Sequence, residues 1–217
     1  LGDTNAGGSG SRVGVSAPAR IGEIMSKLMY TTAVLAILAG ASQAHAALHF
    51  FRLEGKAGLG LLSGNENHAM NANFTPGSGG LRASALVFDD VTRSLSINVG
   101  WGSANGFTDL SGNATVGHIH GPTTNGGIAS FTQNASVRYG LDNLAGWNNS
   151  ASSGGFLGSV TINAGDVAAL FDGRFYINIH SAANGSGEIR GNIVLIPAPG
   201  AAACFGLAGL VALRRKR

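Results

Sequence analysis

The chain has 217 residues and a formal net charge of +3, but many of its basic residues lie at its two ends. Between residues 47 and 195, seven Lys and Arg stand against nine Asp and Glu, which gives −2. This part therefore lacks the basic stripe of a nucleic-acid-binding domain. The only cysteine, Cys204, lies near the C-terminus, so residues 47–195 can form neither an internal disulfide nor a thiolate metal site.

The first 46 residues are typical of sequence that precedes a folded domain. Residues 1–24 are rich in Gly, Ser and Ala and come before the first methionine, so we interpret them as an upstream extension, with a disordered leader as the alternative. From Met25 onward, a basic residue, an apolar run over 28–41 and a small-x-small site at 44–46 follow in order. These are the parts of a secretory signal peptide. We therefore predict that residues 25–46 are a cleaved signal peptide and that the mature chain is secreted.

Residues 47–195 show short apolar runs with a period of two, separated by clusters of Gly, Asn and Ser, which is typical of antiparallel β-structure. The pattern predicts strands over 49–55, 81–88, 95–101, 115–120, 128–131, 156–162, 175–180 and 188–195. Polar loops are predicted over 57–80 and 134–154, and a short helix over 165–170 that Asn163 caps and Gly173 ends. About eight strands and one short helix predict an all-β fold, either an antiparallel two-sheet sandwich or a flattened barrel.

Histidines occur on the polar faces of two of these strands. His118 and His120 are two residues apart, so both side chains project from the same face of a strand. In the later strand, Tyr176, Asn178 and His180 share a face in the same way. If the two strands are neighbours, the three histidines form an all-imidazole ligand set, which suits copper or zinc rather than calcium.

A buried polar cluster is the alternative interpretation of these histidines. In this case they hydrogen-bond with Asn178, Glu188 and Arg190, and the cluster has to be fully satisfied to be tolerated. Glu188 and Arg190 are also two residues apart, so they can form an ion pair that fixes the last strand, or can orient the histidines from behind. The sequence leaves the metal site and the structural cluster open.

Three stretches carry a resemblance to a known family. The sequence Gly-His-Ile-His-Gly-Pro over 117–122 is followed by Asn-Ile-His over 178–180 and by Gly-Glu-Ile-Arg-Gly over 187–191. Together they resemble the CHRD domain, the module named after chordin, and the resemblance implies that residues 47–195 are such a domain. CHRD domains are widespread in bacterial secreted proteins, usually without an assigned activity. The resemblance therefore implies an extracellular setting but no particular ligand.

Residues 196–217 are organised like a membrane-sorting tail. Two prolines are followed by an apolar run over 201–213 and by four terminal basic residues, which the positive-inside rule places on the cytoplasmic side. This order resembles the PEP-CTERM sorting signal of bacteria, with Pro-Ala-Pro over 197–199 where that family usually has Pro-Glu-Pro. The resemblance implies that an exosortase, a membrane enzyme, removes the tail. A permanent membrane anchor is the alternative.

No catalytic residues are predicted. The sequence has no nucleophile elbow, no phosphate loop and no dinucleotide fingerprint, and its carboxylates are scattered. We therefore predict a non-enzymatic, secreted or envelope-associated module that binds other extracellular or cell-envelope components and needs no cofactor. The opposing hypothesis is a copper- or zinc-binding domain, with a metallo-oxidoreductase as its enzymatic form.

Overall fold

The structure is a computed structural model that describes Gly2, residues 47–67 and residues 75–197. The predicted upstream extension (Gly2 apart), the predicted signal peptide and the sorting tail from residue 198 onward lie outside the described residues. Among the described residues, no helix has both the length and the apolar character that crossing a membrane requires.

Twelve antiparallel strands form one hydrogen-bonded sheet within the described residues. They are β1 (Leu48–Gly55), β2 (Gly58–Leu59), β3 (Leu61–Leu62), β4 (Ser78–Leu81), β5 (Leu86–Asp89), β6 (Ser94–Trp101), β7 (Ala114–His120), β8 (Val137–Gly140), β9 (Trp147–Ser150), β10 (Ser153–Thr161), β11 (Tyr176–Ser181) and β12 (Ile189–Leu195). The helical segments are α1 (Val167–Phe171) and the 3₁₀ turns Ser63–Asn65, Ser103–Asn105, Gly127–Thr132 and Ala164–Asp166.

Strand β1 closes this sheet on itself. It pairs with β5 over residues 48–51 and with β12 over residues 51–54, so a ring runs through β1, β5, β6, β4, β3 and β12. From β6 the sheet extends to β10 and β9, and from β12 it extends to β11, β7 and β8. Residues 47–67 and 75–197 thus form a flattened antiparallel barrel with one short α-helix, and the predicted all-β fold class is confirmed.

Period-two alternation decides which side of each strand faces the core. The residues Leu95, Ile97, Val99 and Trp101 of β6 are each exposed by 1 % or less, as their shared face predicts. Isoleucines at alternate positions of β11 and β12 are buried in the same core. Burial of each such side chain stabilises the fold by about 1.5–3 kcal/mol. A register slip of one residue would direct the apolar side chains of a strand toward solvent and remove several of these contributions at once.

Three predictions of local structure are wrong. The predicted loop over 57–80 contains β2, β3 and most of β4. Residues 128–131 form part of the 3₁₀ turn Gly127–Thr132 instead of a strand, and Ile128 in it is 82 % exposed. The predicted loop over 134–154 contains β8 and β9, which pair with β7 and β10. Because β8 and β9 lie at the margins of the sheet, backbone pairing creates them without an alternating apolar pattern. The predicted helix is shorter than expected, since its first turn is the 3₁₀ segment Ala164–Asp166.

Candidate metal centre

The pairing of β7 with β11 brings the two histidine-bearing faces side by side. The register places His120 opposite Tyr176 and His118 opposite Asn178, and His180 follows on the same face of β11. The alternate positions of both strands hold isoleucines of the core. Because side chains alternate along a strand, the histidines are directed away from that core.

Two segments cover this polar face. From one side, the Ala135 carbonyl oxygen lies 2.9 Å from His120 Nδ1, and the Tyr176 hydroxyl hydrogen-bonds to the backbone of Ala135. From the other side, the Gly185 carbonyl oxygen lies 3.0 Å from His180 Nδ1. His120 and His180 are 9 % and 8 % exposed, whereas the His118 side chain is 18 % exposed. The cluster is therefore reached from solvent past His118.

The three imidazoles form a compact group. Their ring centroids are 5.1 Å apart for His118 and His180, 5.5 Å for His118 and His120, and 5.9 Å for His120 and His180. His118 Nδ1 lies 3.3 Å from His180 Nε2, and one nitrogen of each ring lies within 4.8 Å of the other two. Two nitrogens bound at about 2.0–2.1 Å to a tetrahedral ion are themselves about 3.3 Å apart. His118 Nδ1 and His180 Nε2 thus have the spacing of two nitrogens bound to one metal ion. A small inward movement of the His120 ring would bring its nitrogen to a similar distance from both.

The hydrogen-bond partners determine which nitrogen carries the proton in two of the three rings. Carbonyl oxygens only accept, so His120 Nδ1 and His180 Nδ1 are the protonated nitrogens and their Nε2 atoms hold lone pairs. His118 has a possible partner at each nitrogen: Nε2 lies 3.5 Å from a carboxylate oxygen of Asp142, and Nδ1 lies 3.3 Å from His180 Nε2. His120 Nε2 is buried without a hydrogen-bond partner among the described residues.

Burial keeps two of these rings neutral. It lowers the pKa of His120 to about 4, since the Ala135 carbonyl opposes the shift only in part and His180, His118 and Arg190 add to it. Burial also lowers the pKa of His118, and nearby His180 acts in the same direction. Both imidazoles are therefore unprotonated at neutral pH, which is the form that binds a metal ion. Each also donates its other N–H to a carbonyl or faces a carboxylate, as metal-bound histidines usually do.

Arg190 lies behind the cluster and is fully buried. Its guanidinium carbon is 3.5 Å from the centre of the Tyr176 ring, and that ring stacks on His120 at 5.0 Å and 6°. Tyr176, on the middle strand, therefore joins β12 to the histidines of β7. The guanidinium donates to the carbonyl oxygens of Ser130 and Gln133 at 3.1 and 2.8 Å, to Asn134 Oδ1 at 3.1 Å and to Asn192 Oδ1 at 3.3 Å. Burial lowers the pKa of Arg190.

The predicted ion pair between Glu188 and Arg190 is wrong, because the two side chains bind separate partners. Glu188 precedes β12, and its carboxylate accepts hydrogen bonds from Ser111, Ser181 and Asn184. Within the described part of the chain, neither residue hydrogen-bonds to a histidine. Asn178 lies between His118 and Arg190 in the strand register, and its Oδ1 atom is buried without a partner among the described residues.

Sequence reasoning missed the groups that orient the rings. The carbonyl oxygens of Ala135 and Gly185 have no signature in a sequence, since every residue has one. Asp142 is an ionisable residue just after β8, but it lies in a segment predicted to be a polar loop. Its proximity to His118 comes from the pairing of β8 with β7, which only the tertiary structure shows.

Comparison with known proteins adds one match. A family model described as the CHRD domain matches residues 61–193, which is more than half of the chain and includes the three histidines of the cluster. No curated protein and no solved structure matches the chain.

Proposed function

The chain belongs to the CHRD domain family, and from this premise we propose that it is a non-enzymatic metal-binding module that acts outside the cytoplasm. The convergence of three histidine nitrogens, each within 4.8 Å of the others, carries the proposal. Neutral imidazole nitrogens that lie this close together can bind one cation between them. Three ligands also leave one position open for water or for a group from a partner.

The donor atoms favour copper or zinc. Imidazole nitrogen suits these two ions, whereas calcium and magnesium prefer oxygen ligands in larger number. Bound copper would add one-electron redox chemistry, which is the basis of the metallo-oxidoreductase alternative. The role that we propose is binding rather than redox catalysis. The bound metal either links the domain to other components or holds β7 and β11 together.

The location of the module is proposed from its two ends. The signal-peptide pattern over 25–46 supports export, and the tail over 196–217 supports transient or permanent membrane attachment. An exosortase-type enzyme is the proposed processing partner of the tail. Extracellular or cell-envelope components are the proposed partners of the folded domain, with no role for nucleic acid.

Metal retention tests the proposal directly. The full, untagged chain, purified in mild detergent, is loaded with Zn²⁺ or Cu²⁺, desalted and assayed for metal by mass spectrometry. We expect about one equivalent in the parent and a loss of nearly all of it in the double variant His118→Ala/His120→Ala, because the remaining imidazole cannot hold the ion alone. His49→Ala is the matched control, since it removes a histidine of β1 that lies beside Phe171, outside the cluster.

Thermal unfolding provides a second readout of the same site. Zinc at about 100 times its Kd should stabilise the parent by about 2.7 kcal/mol, which corresponds to roughly 5–10 °C in a domain of this size. The double variant should show no such shift. A parent that retains no metal and gains no stability would refute the metal-binding function and favour the structural cluster.

A further inference from the structure

The loop after β8 holds Asp142 beside the histidine cluster by backbone hydrogen bonds. Strand β8 ends at Gly140, directly opposite His118 in the register. The next two amides, of Leu141 and Asp142, both donate to the Gly117 carbonyl oxygen, at 2.8 and 3.3 Å. Leu141 is also fully buried in the core. The Asp142 backbone is therefore fixed at the residue that precedes the first histidine ligand.

The Asp142 carboxylate faces the far nitrogen of His118. Its Oδ1 atom lies 3.5 Å from His118 Nε2, and the two side chains are 17 % and 18 % exposed. This oxygen is buried and accepts no hydrogen bond from the described residues. A buried carboxylate oxygen without a donor is costly, and His118 Nε2–H is the donor placed to satisfy it when the ring moves slightly.

We propose that Asp142 is a positioning residue of the metal site, which holds the proton on His118 Nε2 and so directs the lone pair of Nδ1 toward the metal. The inference rests on the proposed metal-binding function and deepens it. His120 and His180 need no such residue, because the Ala135 and Gly185 carbonyls already fix their rings. His118 is the most exposed of the three rings, so a carboxylate has the largest ordering effect there.

A substitution that removes the charge of Asp142 but keeps its size distinguishes this positioning role from simple packing. An Asn side chain at 142 keeps the size but offers both an acceptor and a donor, so it no longer selects one tautomer of His118. Loss of a carboxylate that orients a metal-bound histidine typically costs about 10–100-fold in metal affinity. Asp172→Asn is the matched control, since Asp172 is an exposed carboxylate directly after α1, outside the two strands that carry the clustered histidines.

The test uses the full untagged chain with Asp142→Asn, Asp142→Ala and Asp172→Asn. Zinc affinity is measured by competition with a chromogenic chelator, and the protonated nitrogen of His118 by ¹⁵N NMR of the metal-free chain. We expect both Asp142 variants to bind zinc about 10–100-fold more weakly, with the metal-free melting temperature unchanged and the His118 proton no longer confined to Nε2. The control should match the parent in all three measurements.

Two results would overturn the inference and leave the proposed function standing. One is a parent that binds zinc together with Asp142 variants of equal affinity. The other is weaker binding that is accompanied by an equal fall in metal-free stability and an unchanged His118 tautomer, which would make Asp142 a structural residue. A parent that binds no zinc would refute the proposed function itself, and the inference with it.

Discussion

Replacing Arg190 with Met is expected to lower the free energy of unfolding by about 3–5 kcal/mol, because the four hydrogen bonds that its charged side chain donates are lost together. Met fills much of the space of the Arg side chain but donates no hydrogen bond. The part-buried Gln133 carbonyl oxygen would lose its Arg190 donor, the Ser130 carbonyl oxygen would keep only the N–H of Gln133, and Asn134 would lose a partner as well. The stacking of the guanidinium on Tyr176 would also be lost.

Denaturant unfolding measures this effect, with a lower midpoint and an unchanged slope as the expected pattern. In a domain of this size the melting temperature should fall by roughly 6–20 °C. Arg82→Met is the control: Arg82 is exposed, so its substitution should change the free energy of unfolding by only about 0.5 kcal/mol. Equal effects of the two substitutions would show that the buried guanidinium does not hold the segment 130–134 in place.

Replacing Glu188 with Gln is expected to cost about 2–4 kcal/mol although the two side chains have the same shape. One carboxylate oxygen accepts from the backbone N–H and the hydroxyl of Ser111, at 2.7 and 2.9 Å. The other accepts from the Ser181 hydroxyl and from Asn184 Nδ2. A Gln amide must turn its NH₂ group toward one of these donor pairs, so hydrogen bonds to a charged acceptor are lost and donors face each other.

The same unfolding experiment tests this prediction, with Glu54→Gln as the control. Glu54 is a half-buried carboxylate that pairs with Arg52 at 2.7 Å, with both side chains more exposed than Glu188. Such a surface pair is usually worth no more than about 1 kcal/mol. A Glu188 variant as stable as the Glu54 variant would contradict the inference that the buried carboxylate ties the 111 and 181–184 segments together.

The sequence analysis placed Arg190 and Glu188 in one polar cluster, and these two substitutions distinguish their roles. Arg190 contacts Tyr176, which stacks on His120, so its loss should weaken metal binding as well as stability. Glu188 has no contact with a histidine ring among the described residues, and its loss should affect stability with little effect on zinc affinity in the folded state. Glu188 and Arg190 of the predicted cluster thus belong to two separate hydrogen-bond networks.

Local patterns in the sequence determined the class of fold and the composition of the histidine face. Alternation along β6 identifies its core-facing residues, and the His-x-His of β7 and the Asn-x-His of β11 place their side chains on one face of each strand. Side-chain direction has a period of two within a strand, so it can be predicted without knowledge of the neighbouring strands.

Tertiary structure alone decided which of these faces meet and what surrounds them. The register of β7 on β11, the edge strands β8 and β9, and the separation of Glu188 from Arg190 depend on residues that are distant in the chain. The same holds for the partners of the rings, since Ala135, Gly185 and Asp142 reach the histidines through loop closure. Loop closure depends on the total free energy of packing and backbone hydrogen bonding, and no local period in the sequence records it.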